Sequence, residues 1–307
     1  MTGFVLPDGV TLFERGWLSS NCVLLTGGKG PLALVDSGYH THSDQTLRLV
    51  DTALAGRDLD MIVNTHLHSD HCGGNAALQQ RYSSVRTWVP AAEFEAVVQW
   101  DTAALSYVAT GQGCPPFAAD GALQPGTVLS VGAHRWEVHS APGHDPHSVV
   151  LFEPDNRMLI SADALWGNGF GVVFPELDGV AAFDEVAATL DLIERLHPHV
   201  VLPGHGPAFT DVTDALHRAR SRLEGFRNDP LRHARYAAKV LLKFKLLEWQ
   251  EIDEAVLLRW TAETPYFQLL HQRWFAPRPW HAWVRQLADE LVQASAASRH
   301  DGRLRNA

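Results

Sequence analysis

The chain reads as an α/β fold followed by a smaller, mainly helical carboxy-terminal part, and three observations carry that reading. Over roughly the first 210 residues, short runs rich in β-branched residues alternate with glycine-rich turns and a few amphipathic helical patterns. Cys22 to Thr26 and Leu32 to Asp36 flank Gly27-Gly28-Lys29-Gly30, two apolar runs around a turn that tolerates positive φ. After Gly206-Pro207 the pattern changes to long helical periods in which no strand is evident.

Taken in order, that first hairpin is followed by a helix over Ser43 to Ala55 and a strand at Met61 to Thr65. Helices are expected at Gly74 to Gln80 and Ala91 to Trp100, and strands at Arg135 to His139, Val149 to Phe152, Met158 to Ser161 and Val200 to Pro203. Phe183 to Leu196 places Val186, Leu190, Ile193 and Leu196 on one helical stripe. Asp101 to Gly121, with Gly111, Gly113 and Pro115-Pro116, reads as an insertion or a loop lying over something. The later helices are Val212 to Phe226, Leu231 to Glu248, Ile252 to Thr261, Tyr266 to Phe275 and Trp280 to Ala294, broken at Asp229-Pro230 and at Ala276-Pro277-Arg278-Pro279. The tail Ser295 to Ala307 is polar and is expected to fray. This divides the chain into residues 1–210 and a helical 211–307.

Composition removes several function classes. Acidic residues exceed basic ones by 35 to 25, a formal charge of −10, so no general basic field exists to attract a phosphate backbone and nucleic-acid binding is disfavoured. Three cysteines, Cys22, Cys72 and Cys114, are too few and too scattered for a disulfide framework. The amino terminus lacks a basic stretch followed by a long apolar run, and no segment approaches about 18 uninterrupted apolar residues, so a cytoplasmic protein without a membrane span is expected. An apolar helix of the carboxy-terminal part would serve a homodimer as well as a pocket. Seventeen histidines is the one unusual count.

Four of the candidate ligands crowd into Thr65-His66-Leu67-His68-Ser69-Asp70-His71, directly after an apolar strand. His66 and His68 are two apart and would diverge on a helix, whereas in an extended or turning loop they point the same way. They can therefore share one ion while Asp70 and His71 turn toward a second. Three isolated residues have the same setting, each between a strand and a small-residue turn: His144, Asp163 and His205. Any one alone is an ordinary structural residue; together they describe a metal centre. Imidazole and carboxylate donors suit zinc, and iron or manganese fit the same mixture.

In this order, Val35-Asp36-Ser37-Gly38, then HxHxDH, then His144, Asp163 and His205, the chain resembles the metallo-β-lactamase-fold hydrolase superfamily over roughly residues 15–210. The resemblance implies a four-layered αβ/βα sandwich with the centre at one edge between two sheets. It implies that His66, His68 and His144 hold one of two divalent ions. Asp70, His71 and His205 would hold the other, Asp163 would bridge both, and Asp36 would orient the HxHxDH loop from behind.

Such a centre supplies a metal-bound hydroxide for hydrolysis, with Asp70 able to relay its proton. Members acting on β-lactams generally lack the bridging aspartate, so an antibiotic substrate is disfavoured. The stretch from His66 through Gly73-Gly74-Asn75, with a helical extension, resembles the glyoxalase II branch, which implies a small-molecule substrate, most readily a thioester. Lactonase, phosphodiesterase or ribonuclease, and mononuclear-iron sulfur dioxygenase activities are the alternatives. For the substrate pocket the strand-end loops offer Trp166, Asn168 and Phe170, then Tyr39 and His40. Arg218, Arg220 and Arg222 on one helix and Lys239, Lys243 and Lys245 on another would either grip phosphates or form solvated faces. Cys72, beside His71, is expected to pack and not to ligate.

Overall fold

The computed structural model describes residues 4–307. A six-stranded sheet runs in chain order through β1 (Val10–Phe13), β2 (Cys22–Leu25), β3 (Ala33–Val35), β4 (Met61–Val63), β5 (Arg86–Pro90) and β6 (Gly121–Leu123). Its first three strands are antiparallel and β3 to β6 are parallel. A five-stranded sheet follows, comprising β7 (Val128–Val131), β8 (His134–Ser140), β9 (Val149–Glu153), β10 (Met158–Ala162) and β11 (Val200–Pro203), in the order β11-β10-β9-β8-β7. Only the β10–β11 pair of this sheet is parallel.

Period-2 alternation sorts these strands into layers. Val23 and Leu25 of β2, Val149 and Leu151 of β9, Met158 and Ile160 of β10, and Val200 and Leu202 of β11 meet in one core between the sheets. The intervening Cys22 and Leu24 face the other way, onto the helices Ser43–Leu54 and Asn75–Arg81. Val150, Phe152, Leu159 and Val201 likewise turn outward onto Phe183–Leu196 and Val212–Asn228. Helix, sheet, sheet and helix make the four layers. The helix Val212–Asn228 belongs to this sandwich, and the apolar cluster around Leu241, Phe267 and Trp283 is built mostly after Asp229, with Val172 and Leu177 reaching into it.

That carboxy-terminal part is not purely helical. β12 (Glu251–Asp253), β13 (Ala297–His300) and β14 (Arg303–Asn306) form an antiparallel sheet in the order β12-β14-β13. The tail expected to fray is therefore paired, and Ile252, expected in a helix, lies in a strand. Each strand buries a single apolar residue, Ile252, Ala297 or Leu304, too short a pattern to read as alternation. The exposed faces are closed by ion pairs of Arg299 with Asp289 and Glu254, and of Arg303 and Arg305 with Glu251. The legible signal was Asp301-Gly302, both at positive φ, the dipeptide of a tight hairpin turn.

His233 joins the two clusters. It is 2% exposed, its ring packs 4.8 Å from that of Phe226, and its Nε2 accepts the Val173 N–H at 3.2 Å. Burial, aided by the Arg222 charge, pulls its pKa from 6.5 to about 4. Between these values the unfolded chain takes up a proton that the folded chain refuses, so this histidine's contribution is complete above pH 6.5 and fades as pH falls toward 4. The full difference is about 3 kcal/mol. Denaturant unfolding at pH 7.5 and 4.5 should therefore show a smaller pH-dependent loss in His233→Leu than in the wild type.

Candidate metal centre

All seven candidate ligands sit at the carboxyl ends of strands or just beyond them, on one edge of the sandwich. After β4 the chain bends at Thr65 and His66, is extended at His68, and turns at Ser69 into one helical turn, Ser69–Cys72, that carries Asp70 and His71. The backbone is thus loop-like for the first pair and helical for the second. A register shift in the β10–β11 pairing between Ile160 and Ala162, with Ala162 at φ 47°, re-aims Asp163 at the end of β10. Gly143, at φ 134°, precedes His144; a Cβ there would stand 2.6 Å from Val186.

The hydrogen bonds fix which nitrogens carry protons. The Asp36 carboxylate accepts from the Thr65 N–H at 2.9 Å, the Thr65 hydroxyl at 2.8 Å and the His71 Nδ1–H at 2.8 Å. Because the Thr65 hydroxyl spends its proton on Asp36, it must accept from His66 Nδ1–H, 3.1 Å away. His144 Nδ1–H donates to the Val172 carbonyl at 2.6 Å. All three rings turn Nε2 inward, and in His66 and His144 that nitrogen is bare.

Those lone pairs converge without protons to join them. His66 Nε2 and His144 Nε2 lie 3.1 and 2.8 Å from His68 Nδ1, which has at most one proton to give. His71 Nε2 is buried with no hydrogen-bond partner, as is His205 Nδ1. Asp163 stands between the groups, its Oδ1 3.4 Å from His71 Nε2 and 3.8 Å from His205 Nε2, its Oδ2 3.4 Å from His144 Nε2. Asp70 Oδ2 approaches His205 Nε2 to 3.1 Å. Three sets of donor atoms, each within 4.8 Å of one another, result: His66-His68-His144, His66-His71-Asp163 and Asp70-His71-His205. These histidines and aspartates are positioned for metal binding, and a cation is the partner that converging lone pairs and an orphaned Nε2 fit.

The electrostatics divide the histidines. Burial first, and then mutual repulsion, holds His66 far below its usual pKa and His144 at about 4; burial likewise brings His68 to about 4. All three are neutral donors at neutral pH. At His71 burial acts downward, but Asp163, Asp36 and Asp70 together raise it well above 6.5. Burial acts upward on Asp163, yet His205 and His71 keep it ionised.

The other expected residues divide. Trp166 donates its indole N–H to Asp163 Oδ1 at 3.1 Å and lines the cavity over the centre; Asn168 lines a larger cavity beside it. Phe170 is not on a cavity wall, because it is 1% exposed and packs on Phe226 in the outer core of the second sheet. Tyr39 is fully buried against Phe244, its hydroxyl accepting the Gly113 N–H at 3.1 Å. Both aromatics close the core. His40 is half-buried beside Tyr39, where a Cβ on Gly113 would collide with its ring. Cys72 packs as expected, its Sγ 3.2 Å from the Tyr107 hydroxyl.

Several residues here gave no sequence signal. Trp17, from the loop before β2, stacks on His205 at 5.2 Å and meets Trp166 edge-on at 5.3 Å. Thr110 and Gln112, in the inserted loop, lie over the centre, and Gln112 Oε1 accepts the Ser69 hydroxyl at 2.5 Å. Phe174 packs edge-on against His68 and His144. The basic helix residues are spoken for: Arg218 and Arg220 pair with Asp211, Asp191 and Glu194, and Arg222 bonds the carbonyls of Asn168 and Phe170. Lys239 and Lys245 pair with Glu290 and Glu248, and Lys243 bonds Ala296, Asn306 and Ala307. Among the described residues no helix is long and apolar enough to cross a membrane.

One contact yields a direct test. A Cβ on Gly204 would stand 2.3 Å from Asp163 Oδ1. Gly204→Ala should displace that carboxylate and press on the Ala162 backbone 3.0 Å away, weakening metal retention roughly tenfold or more, as read by metal analysis after dialysis, with some loss of thermal stability.

The chain is similar to several known proteins. A hydroxyacylglutathione hydrolase of Mesorhizobium japonicum is 30% identical over 114 residues, 37% of each chain. A human acyl-coenzyme A thioesterase is 28% identical over 235 residues, 66% of this chain and 80% of that protein. The chain matches less than half the length of the first of these. A solved metallo-beta-lactamase family protein from Thermus thermophilus superposes with a TM-score of 0.59 at 20% identity, over 99% of this chain and 100% of the other, a likeness of fold. The model of the Metallo-beta-lactamase superfamily matches residues 15–205, more than half of the sequence and the whole span from the loop before β2 to the last histidine of the centre, and the chain belongs to that superfamily.

Proposed function

We propose that this protein is a hydrolase of carbonyl esters, with thioesters as its first substrate class, working with two divalent cations, zinc by donor chemistry. His66, His68 and His144 would hold one and Asp70, His71 and His205 the other, with Asp163 between them. The observation that carries this reading is the set of inward-facing imidazole nitrogens converging around one carboxylate. Cations bound there supply Lewis acidity, which acidifies a water and holds negative charge developing on a substrate oxygen.

The chain's own groups do the rest. Asp36 and the Val172 carbonyl lock the His71 and His144 rings so that Nε2 faces inward. The Trp166 indole N–H steadies Asp163. Asp70, whose second interaction is with His205, is the carboxylate available to take and return a proton beside the scissile bond. Trp17, Trp166, Phe174 and Phe244 wall the small central cavity, of about 90 Å³, against bulk water. The names of the relatives support thioesters over other esters.

The test is the initial hydrolysis rate of the zinc-loaded protein on acyl thioesters, lactones and phosphodiesters at matched concentration. Thioester turnover that disappears in His66→Ala is the expected result. Preference for phosphodiesters would overturn the reading, and oxygen consumption by an iron-loaded sample without hydrolysis would replace it with a dioxygenase.

A further inference from the structure

A substrate at the centre can extend in two directions, and the two differ in chemistry. The central cavity shares Trp17, Trp166, His205, Val240 and Phe244 with a cavity of about 700 Å³ on one side. It shares only His68 and Phe174 with a cavity of about 540 Å³ on the other. The second is lined by Glu93, Asp145 and Asp178, and no lysine or arginine lines it. Glu93 is 7% exposed with its Oε2 unpartnered, so alkyl groups entering there would bury a carboxyl without a bond.

The larger cavity has the opposite character. Val240, Phe244 and Leu247 form an i, i+4, i+7 stripe on the helix Pro230–Trp249, and Leu291 and Ala294 close the far end. Leu247 is half-buried and Ala294 exposed, so this stripe is not simply core. The cations at its edge are Arg222, Lys239 and Lys243. Lys239 is paired with Glu290 at 3.0 Å, Lys243 bonds the Asn306 side chain and two backbone carbonyls, and Arg222 bonds two more. That leaves little to hold an anion. The volume lies within the usual range for ligand sites and far exceeds the roughly 150 Å³ that one benzene ring fills.

We infer that this cavity is the acyl-arm subsite and that it takes an unbranched alkyl chain, entering past His205 between Trp17 and Trp166 and running along the Val240-Phe244-Leu247 stripe toward Ala294. The assignment of the chain as the acyl end rests on the hydrolase reading; the alkyl specificity of the cavity does not.

The experiment therefore has two arms, on the zinc-loaded protein. In the first, straight-chain 1-alkanols from butanol to dodecanol are titrated against tryptophan fluorescence, with Trp17→Phe to identify the reporting indole. Kd should fall roughly fourfold per methylene until the cavity is full. In Leu247→Trp, and independently in the surface variant Ala294→Trp, that trend should end several methylenes earlier. In the second arm, KM for acyl thioesters of the same chain lengths should follow the alkanol trend in all three proteins. An alkanol Kd that does not change with chain length, or a trend that neither tryptophan variant shortens, overturns the inference. Alkanol binding that behaves as expected while no thioester is hydrolysed upholds the alkyl cavity and overturns the thioesterase reading instead.

Discussion

Replacing Asp163 with alanine should lower kcat/KM for the best substrate by roughly 10²- to 10³-fold and reduce the metal retained per chain, with the unfolding midpoint close to that of the wild type. Asp163 is the one carboxylate whose two oxygens face both groups of imidazoles, at 3.4 Å from His71 and 3.4 Å from His144. Without it, His71 loses the foremost of the carboxylates that raise its pKa, and the Trp166 indole loses its acceptor. The fold should tolerate the change because the side chain packs against ligands and not against core. Asp163→Asn separates charge from shape: it keeps the volume and loses the negative charge, so it should fall near the alanine variant in activity. Full activity in either variant would mean that the centre does no chemistry.

Asp36→Ala should act through the opposite balance, costing several kcal/mol of stability together with roughly 10- to 100-fold in metal affinity. Asp36 is 3% exposed and accepts three hydrogen bonds, two from Thr65 and one from His71. Removing it leaves three buried donors without an acceptor and frees the His71 ring to turn its lone pair away. Urea unfolding and competition with a chelator measure the two effects separately. Stability and affinity both unchanged would show that the carboxylate merely caps its turn.

How much of this was visible in the chain depends on how local the cause is. The ligand cluster was legible because His66, His68, Asp70 and His71 are adjacent in sequence, and because each later ligand follows an apolar strand. Asp36 was legible only through the resemblance, since nothing near it in the chain shows that Thr65 and His71 bond to it. The strands β9, β10 and β11 were legible from their apolar runs. β13 and β14 were not, because one buried residue per strand gives no period and the composition is that of a tail. Phe170 and Tyr39 face the core because position after Asp163 or after the Asp36 turn says which loop a side chain is on, not which way it faces.

Seven of the eleven sandwich strands, the inventory of candidate metal ligands and the absence of a general basic field are properties of residue identity and spacing that can be read from the chain alone, whereas β1, β5, β6 and β7 gave no such signal. It took the packed layers to show that Trp17 stacks on His205, that the inserted loop brings Gln112 over the centre, and that Lys239 and Lys243 meet protein acceptors. These contacts join residues tens to nearly two hundred positions apart. Their energies come from burial and from directional bonds that form only once the layers have packed, so no local pattern encodes them.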